Sequence, residues 1–256
     1  MNHTARFIAH HTLCDLDLTH PEITHALLDP QEMHRMVMRA FRHWVPDGQP
    51  DARAHMGILH TYAANLATQT LTLIIQSRVP GDWHTLPSTA LTAPPDTQTI
   101  DLTLREGDDY RFRTVVNPAR YQPGKVERST RDRPADAAPP RALEWFTARL
   151  QPHGTPNYDR FRKIGADSDS TTLKASPLPS LTSKTAHIGM RINRAEIRGQ
   201  LTITDPAAFA QTLAQGMGRS RAFGCGLLLT QPIRVNKEQS RPRRPVQEGS
   251  APRARG

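Results

Sequence analysis

Two parts of this 256-residue chain carry side chains suited to chemistry on a polyanion. The first is residues 216–226, Gly-Met-Gly-Arg-Ser-Arg-Ala-Phe-Gly-Cys-Gly, in which two Gly-apolar-Gly units stand five residues apart. Glycines permit positive φ angles and close approach of a partner backbone. Successive exposed amides in such a loop can form a concavity for an anion. Arg219 and Arg221, on either side of Ser220, add guanidinium groups whose planar donors match phosphate. A phosphate-binding surface is therefore expected from Gly216, Gly218, Arg219, Ser220, Arg221, Gly224 and Gly226. The second is a helix-borne histidine, His34, one of twelve: an imidazole suits proton transfer near neutrality, but by residue type and spacing alone His34 reads as a surface or boundary histidine. Other histidines, among them His10, His11, His20, His25, His55 and His60, lack the spacing or adjoining carboxylates of a metal site and read mostly as solvated or structural. Cys14 and Cys225 are too few for a disulfide framework or a four-thiolate zinc site. No metal or other cofactor is expected.

The elements that must position these groups recur in one order, twice. A strand over residues 5–13 leads to a helix opened by Asp29-Pro30, an N-cap followed by proline at the first helical position, with Glu32 in the first turn. Met33, Met36, Val37, Ala40 and Phe41 form its apolar face at helical spacing. His34 lies roughly 100° from Met33, on the border of that face. Two strand-like runs follow, 57–63 and 70–77, close enough for a hairpin. A segment over 80–95, rich in Pro and Thr, holds at most a short or degenerate helix, and 99–104 alternates like a closing strand. The second half gives a strand over 110–117, a basic loop, and a helix through Leu143, Trp145, Phe146 and Leu150. Strand-like runs follow over 157–184 and 186–204. A helix then opens at Asp205-Pro206 and stops at Gly216, and a strand covers 227–233. Each half reads β-α-β-β-α-β, the ferredoxin-like order. The expected class is α+β, with a first domain over 1–95 (its closing strand extending to 106), a second over 96–233, and a disordered basic tail over 234–256.

The net charge is +9, but the tail alone carries seven basic and two acidic residues. Rich in proline and poor in large apolar groups, it cannot bury enough surface to fold, and its charge argues only for weak, salt-sensitive contact with nucleic acid. Specific recognition must come from the folded body. No apolar run is long enough to span a bilayer, and no basic start with an apolar stretch marks a secretory signal, so a cytoplasmic protein without membrane contact is expected.

The Gly-Met-Gly…Gly-Cys-Gly-Leu-Leu pattern resembles the C-terminal loop of the endoribonucleases that process CRISPR transcripts. Further matches point to the type I-E branch, the CasE (Cse3) family: His34-Arg35 in the first helix, Tyr110-Arg111-Phe112-Arg113 and Asn117-Pro118, Gly124-Lys125, Trp145, and the run from Gly199-Gln200-Leu201 to Asp205-Pro206. They cover about residues 5–233 in order. The resemblance implies two tandem ferredoxin-like domains and cleavage of pre-crRNA at the base of the repeat hairpin. It implies too that the protein stays on the crRNA with the other subunits of a type I-E Cascade complex.

Such a cut needs no metal. The 2′-hydroxyl attacks its own phosphodiester once it is aligned and deprotonated, leaving a 2′,3′-cyclic phosphate or 3′-phosphate and a 5′-hydroxyl. By the resemblance His34 is the acid or base. Gln31, one turn earlier, stands where many relatives have tyrosine. Glutamine can position but cannot shuttle a proton, which leaves a catalytically lapsed RNA-binding subunit as the alternative. Arg39 matches a basic position of the family and would stabilise the phosphorane, though i+5 spacing sets it roughly 140° from His34. Further RNA contacts are expected from Arg111 and Arg113 on one strand face, from Lys125 and Arg128, and from Arg160, Arg162 and Lys163.

Overall fold

In the computed structural model the described residues are 4–45, 49–118, 137–158, 161–183 and 190–233. The first half consists of β1 (Thr4–Asp17), α1 (Pro21–Leu28), α2 (Pro30–Arg39), α3 (Ala52–His55), β2 (Leu59–Asn65), β3 (Thr70–Ser77) and β4 (Asp96–Arg105). The second consists of β5 (Asp109–Val116), α4 (Pro139–Thr147), β6 (Ala166–Asp167), β7 (Lys174–Thr182), β8 (Arg191–Ile203), α5 (Pro206–Gln215) and β9 (Leu228–Pro232).

The first sheet is ordered β2-β3-β1-β4 and every neighbour is antiparallel. The second repeats that order as β8 between β6/β7 and β5, with β9 outermost, again antiparallel throughout. This is the ferredoxin-like arrangement expected, with two 3-10 turns, Trp83–Thr85 and Ser88–Ala90, where the second helix of the first half would stand. The α+β class holds; the residues of the basic tail lie outside those described. Two short helices went unforeseen, α1 and α3. The first of them is opened by His20, whose Nδ1 accepts the Glu22 amide at 3.3 Å, a cap outside the usual Ser/Thr/Asp/Asn set.

The helix bearing His34 forms where the sequence places it. Asp29 Oδ1 accepts the Gln31 amide at 2.9 Å, Pro30 starts the helix, and Met33, Met36, Val37, Ala40 and Phe41 are all buried. They pack with Cys14, Leu16, Leu71, Leu73 and Ile75 of the first sheet. In β1 the buried positions change parity. Cys14 and Leu16 face this core, whereas Phe7 and Ala9 lie in the core of the second half, with Phe112, Phe146, Phe209 and Leu213. Alternating side chains thus let one strand serve both cores. Gln76 of β3 adds a polar tie, its Nε2 donating to the Leu213 carbonyl at 2.7 Å, so α5 is fixed against the first sheet.

Candidate active site and RNA interface

The loop over residues 216–226 closes on itself in the seam between the two sheets. Met217 N donates to Gly226 O at 2.9 Å, and Gly226 N donates to Val115 O of β5 at 2.6 Å. Between them a 3-10 turn, Arg221–Phe223, is framed by left-handed Ser220 and Gly224 (φ 59° and 80°). Asn117 Nδ2 holds the Ser220 hydroxyl at 3.0 Å. Gly216, Gly224 and Gly226 are buried, Gly218, Ser220 and Arg221 are half-buried, and Arg219 is exposed. The glycines are therefore needed chiefly for packing. A Cβ on Gly224 would lie 3.1 Å from the Tyr62 ring, and one on Gly226 would run into the Met217 carbonyl. The loop surface that can meet an anion narrows to residues 218–221.

This packing brings Phe223 against α2. The His34 and Phe223 rings meet edge to face, centroids 6.2 Å apart at 71°. Burial, then the charges of Arg53 and Arg35, hold the His34 imidazole below the usual histidine range. Arg53, on α3, donates Nη1 to the Ile58 carbonyl at 2.7 Å. Its pKa is lowered by burial and by Arg221, against a smaller raising effect of Asp51. His60, on β2, is 1% exposed with its Nε2 unpartnered. Burial, with His34 and Arg53 nearby, drops it to about 3, so it stays neutral.

The remaining expected residues are distributed as follows. Gln31 sits half-buried on α2 one turn before His34, its backbone N–H donating to Asp29 Oδ1. The structure does not bring Arg39 to His34: its guanidinium is paired with Glu22 of α1, and the cations that act on the imidazole are Arg53 and Arg35. The cause is the helical geometry, which turns Arg39 to another flank of α2. Arg111 is exposed on β5. Arg113 and Arg198 both bond Glu196; burial alone would raise its carboxyl, but these two hydrogen bonds outweigh that and lower it. Arg162 is exposed and donates to Gln215 Oε1 at 2.6 Å, while Lys163 Nζ reaches the Ala148 carbonyl at 3.0 Å. Lys125, Arg128 and Arg160 lie outside the described residues. Sequence reasoning missed Arg53, His60 and Phe223. No local pattern marks Arg53 or His60: β2 buries Leu59, His60 and Thr61 in a row, so alternation does not single out His60.

The family model described as CRISPR associated protein matches residues 10–232. The chain belongs to this family. The CRISPR-associated endoribonuclease Cse3 of Thermus thermophilus is 24% identical over 212 residues, covering 80% of this chain and 92% of the relative. Thermus thermophilus Cse3 bound to an RNA representing a pre-cleavage complex superposes with a TM-score of 0.67 at 20% identity, over 88% of this chain and all of that one. Cas6e of Escherichia coli superposes with a TM-score of 0.55 at 15% identity, over 87% of this chain and all of that one. The resemblance to the CasE (Cse3) family drawn from the sequence stands on these matches, and the fold is the one they share. Among the described residues no helix is long and apolar enough to cross a membrane.

Proposed function

We propose that this chain is a metal-independent endoribonuclease that binds the hairpin of a CRISPR repeat and cuts pre-crRNA at the base of the stem. It then stays on the crRNA as a subunit of a Cascade surveillance complex, in the cytoplasm. The first half supplies the helix with His34, and the second supplies the loop over 216–226 that covers it. The observation that carries this reading is the setting of His34: half-buried, in edge-to-face contact with Phe223, and under the charges of Arg53 and Arg35. That environment favours a neutral imidazole at pH 7, ready to take the 2′-hydroxyl proton, and an electropositive wall for the phosphate. The family membership and the RNA-bound Cse3 relative support the substrate class.

In the cut, the 2′-oxygen bonds to phosphorus as the bond to the 5′-oxygen breaks. His34 receives the proton of the attacking hydroxyl, and the leaving oxygen takes one from water. The imidazolium then returns its proton to the hydroxide left in solvent. One positioned proton-transfer group is worth ~10²–10⁴-fold. Gln31, beside His34 on α2, orients the hydroxyl or the phosphate without moving a proton. Arg111, Arg219 and the residues near Arg162 and Lys163 supply phosphate contacts along the stem.

The test is incubation of the purified protein with an end-labelled repeat hairpin in EDTA. A single cut with a 2′,3′-cyclic end, blocked by a 2′-deoxy substitution at the cut site, is the expected result. Binding without any cut overturns the enzyme reading and leaves an RNA-binding subunit.

A further inference from the structure

We propose that Arg53, Arg221 and Arg162 together form the seat of the RNA phosphate beside His34, with Arg53 as the cation that stabilises the charge developing on that phosphate. This rests on the ribonuclease reading above and gives it a residue that the sequence did not point to.

The three guanidiniums arrive from three separate segments: α3, the stretch before β6, and the glycine loop. Each is held by one nitrogen on a neutral acceptor. Arg53 Nη1 donates to Ile58 O at 2.7 Å, Arg221 Nη1 to Gln215 O at 2.9 Å, and Arg162 Nη1 to Gln215 Oε1 at 2.6 Å. The anchors adjoin, since a Cβ on Gly216 would lie 3.0 Å from the Leu59 side chain, which places Gln215–Gly216 against Ile58–Leu59. Two residues beyond Arg221, Phe223 meets the His34 ring. The geometry therefore sets Arg162 and Arg221 on one residue, Gln215, and brings Arg221, Arg53 and the proton-transfer group to the same stretch of the seam.

Among the described residues none of the three arginines forms an ion pair. The acids near α2 are engaged elsewhere, Glu32 with Arg35 and Glu22 with Arg39, and Glu196 is taken by Arg113 and Arg198. Asp51 is close enough to Arg53 to be felt but makes no ion pair with it. The mutual repulsion is registered in the lowered pKa of Arg53 and of Arg162, both of which feel Arg221 after burial. Like charges fixed together without a counter-ion cost energy that an arriving anion removes. His60, fully buried with Nε2 unpartnered, sits among the same groups as a neutral wall and brings no charge to offset them. Guanidiniums anchored through one nitrogen keep the rest of their donor edge for phosphate oxygens.

The bond changes are those given above; Arg53 contributes no proton and faces the non-bridging oxygens as charge gathers on them. The experiment measures single-turnover cleavage of the hairpin by Arg53→Gln, Arg53→Lys and Arg39→Ala. It adds affinity for a 2′-deoxy hairpin and the titration of His34 by NMR in the absence of RNA. Loss of an electrostatic stabiliser predicts a slowing of ~10²–10³-fold in Arg53→Gln. Its Kd for the uncleavable hairpin should rise, but by less than about tenfold. Arg53→Lys should recover part of the rate, and the His34 midpoint should rise in Arg53→Gln because a nearby positive charge has gone. Parent-like cleavage by Arg53→Gln, or a loss in Arg39→Ala as large as that in Arg53→Gln, overturns the assignment. If the parent protein binds but does not cut, the nuclease reading has failed separately. The seat is then judged by binding. Weaker affinity in Arg53→Gln, Arg162→Ala and Arg221→Ala, with a His34 midpoint raised by the 2′-deoxy hairpin, upholds it; unchanged affinity and midpoint overturn it.

Discussion

His34 of α2 and Phe223 of the glycine loop meet edge to face at 6.2 Å, and this contact joins a helix of the first half to a loop of the second. The loop reaches the proposed chemistry through a ring contact, while its glycines make room for the approach. The imidazole is below the ordinary histidine range first because it is buried.

Phe223→Ala should therefore let water reach the ring. The expected outcome is a rise of the His34 midpoint toward the ordinary value of about 6.5. If His34 accepts the proton, the cleavage rate climbs with pH through this midpoint and then levels. The rising limb should move to higher pH in Phe223→Ala, and Phe223→Leu should restore part of the shift. NMR titration and a pH–rate profile check both.

Phosphate contact by the loop is read by salt. Arg219→Ala combined with Arg221→Ala should weaken hairpin affinity and reduce the slope of log K against log salt by up to about two. A filter-binding series over ionic strength measures this. An unchanged slope would give the loop a packing role alone.

Gly226 has φ 86°, and a Cβ there meets the Met217 carbonyl. Gly226→Ala should destabilise the fold by about 1–3 kcal/mol through backbone strain alone, and by more if the carbonyl cannot yield. Chemical denaturation measures it. Arg219→Ala, on the exposed part of the same loop, should leave stability within about 0.5 kcal/mol.

His60 is a buried neutral base with its pKa near 3. Unfolding exposes a histidine that binds a proton below about pH 6.5. The unfolded state then holds more protons than the folded one, so stability falls as pH drops from about 6.5 toward 3, by up to about 1.4 kcal/mol per pH unit for this one group. His60→Asn should flatten that limb in urea melts collected across the range.

Much of the scaffold was legible because it rests on local signals. Asp29-Pro30 and Asp205-Pro206 mark helix starts through side-chain capping, and both cap where expected. The apolar stripe from Met33 to Phe41 fixed the buried side of α2 and left His34 at its edge. The doubled β-α-β-β-α-β order was readable, and the Pro-rich stretch after β3 did give 3-10 turns in place of a helix. Neither α1 nor α3 could be read this way: the first is capped by a histidine and the second is a single turn opened by left-handed Asp51. The site was only half legible for a related reason. His34 and Arg221 stand in recognisable motifs, but Arg39 pairs with Glu22 through the packing of α1 on α2, and the approach of Arg53 to Arg221 depends on how the two halves dock. That docking turns on contacts remote in sequence, such as Gln76 with Leu213 and Leu59 with Gly216.

The central claim is that His34 moves a proton in RNA cleavage, and single-turnover cutting of a labelled repeat hairpin by His34→Ala in EDTA tests it most directly. The account predicts that this variant binds the hairpin with the affinity of the parent protein and cuts it slower by ~10²–10⁴-fold. Cleavage by His34→Ala at the parent rate would contradict it.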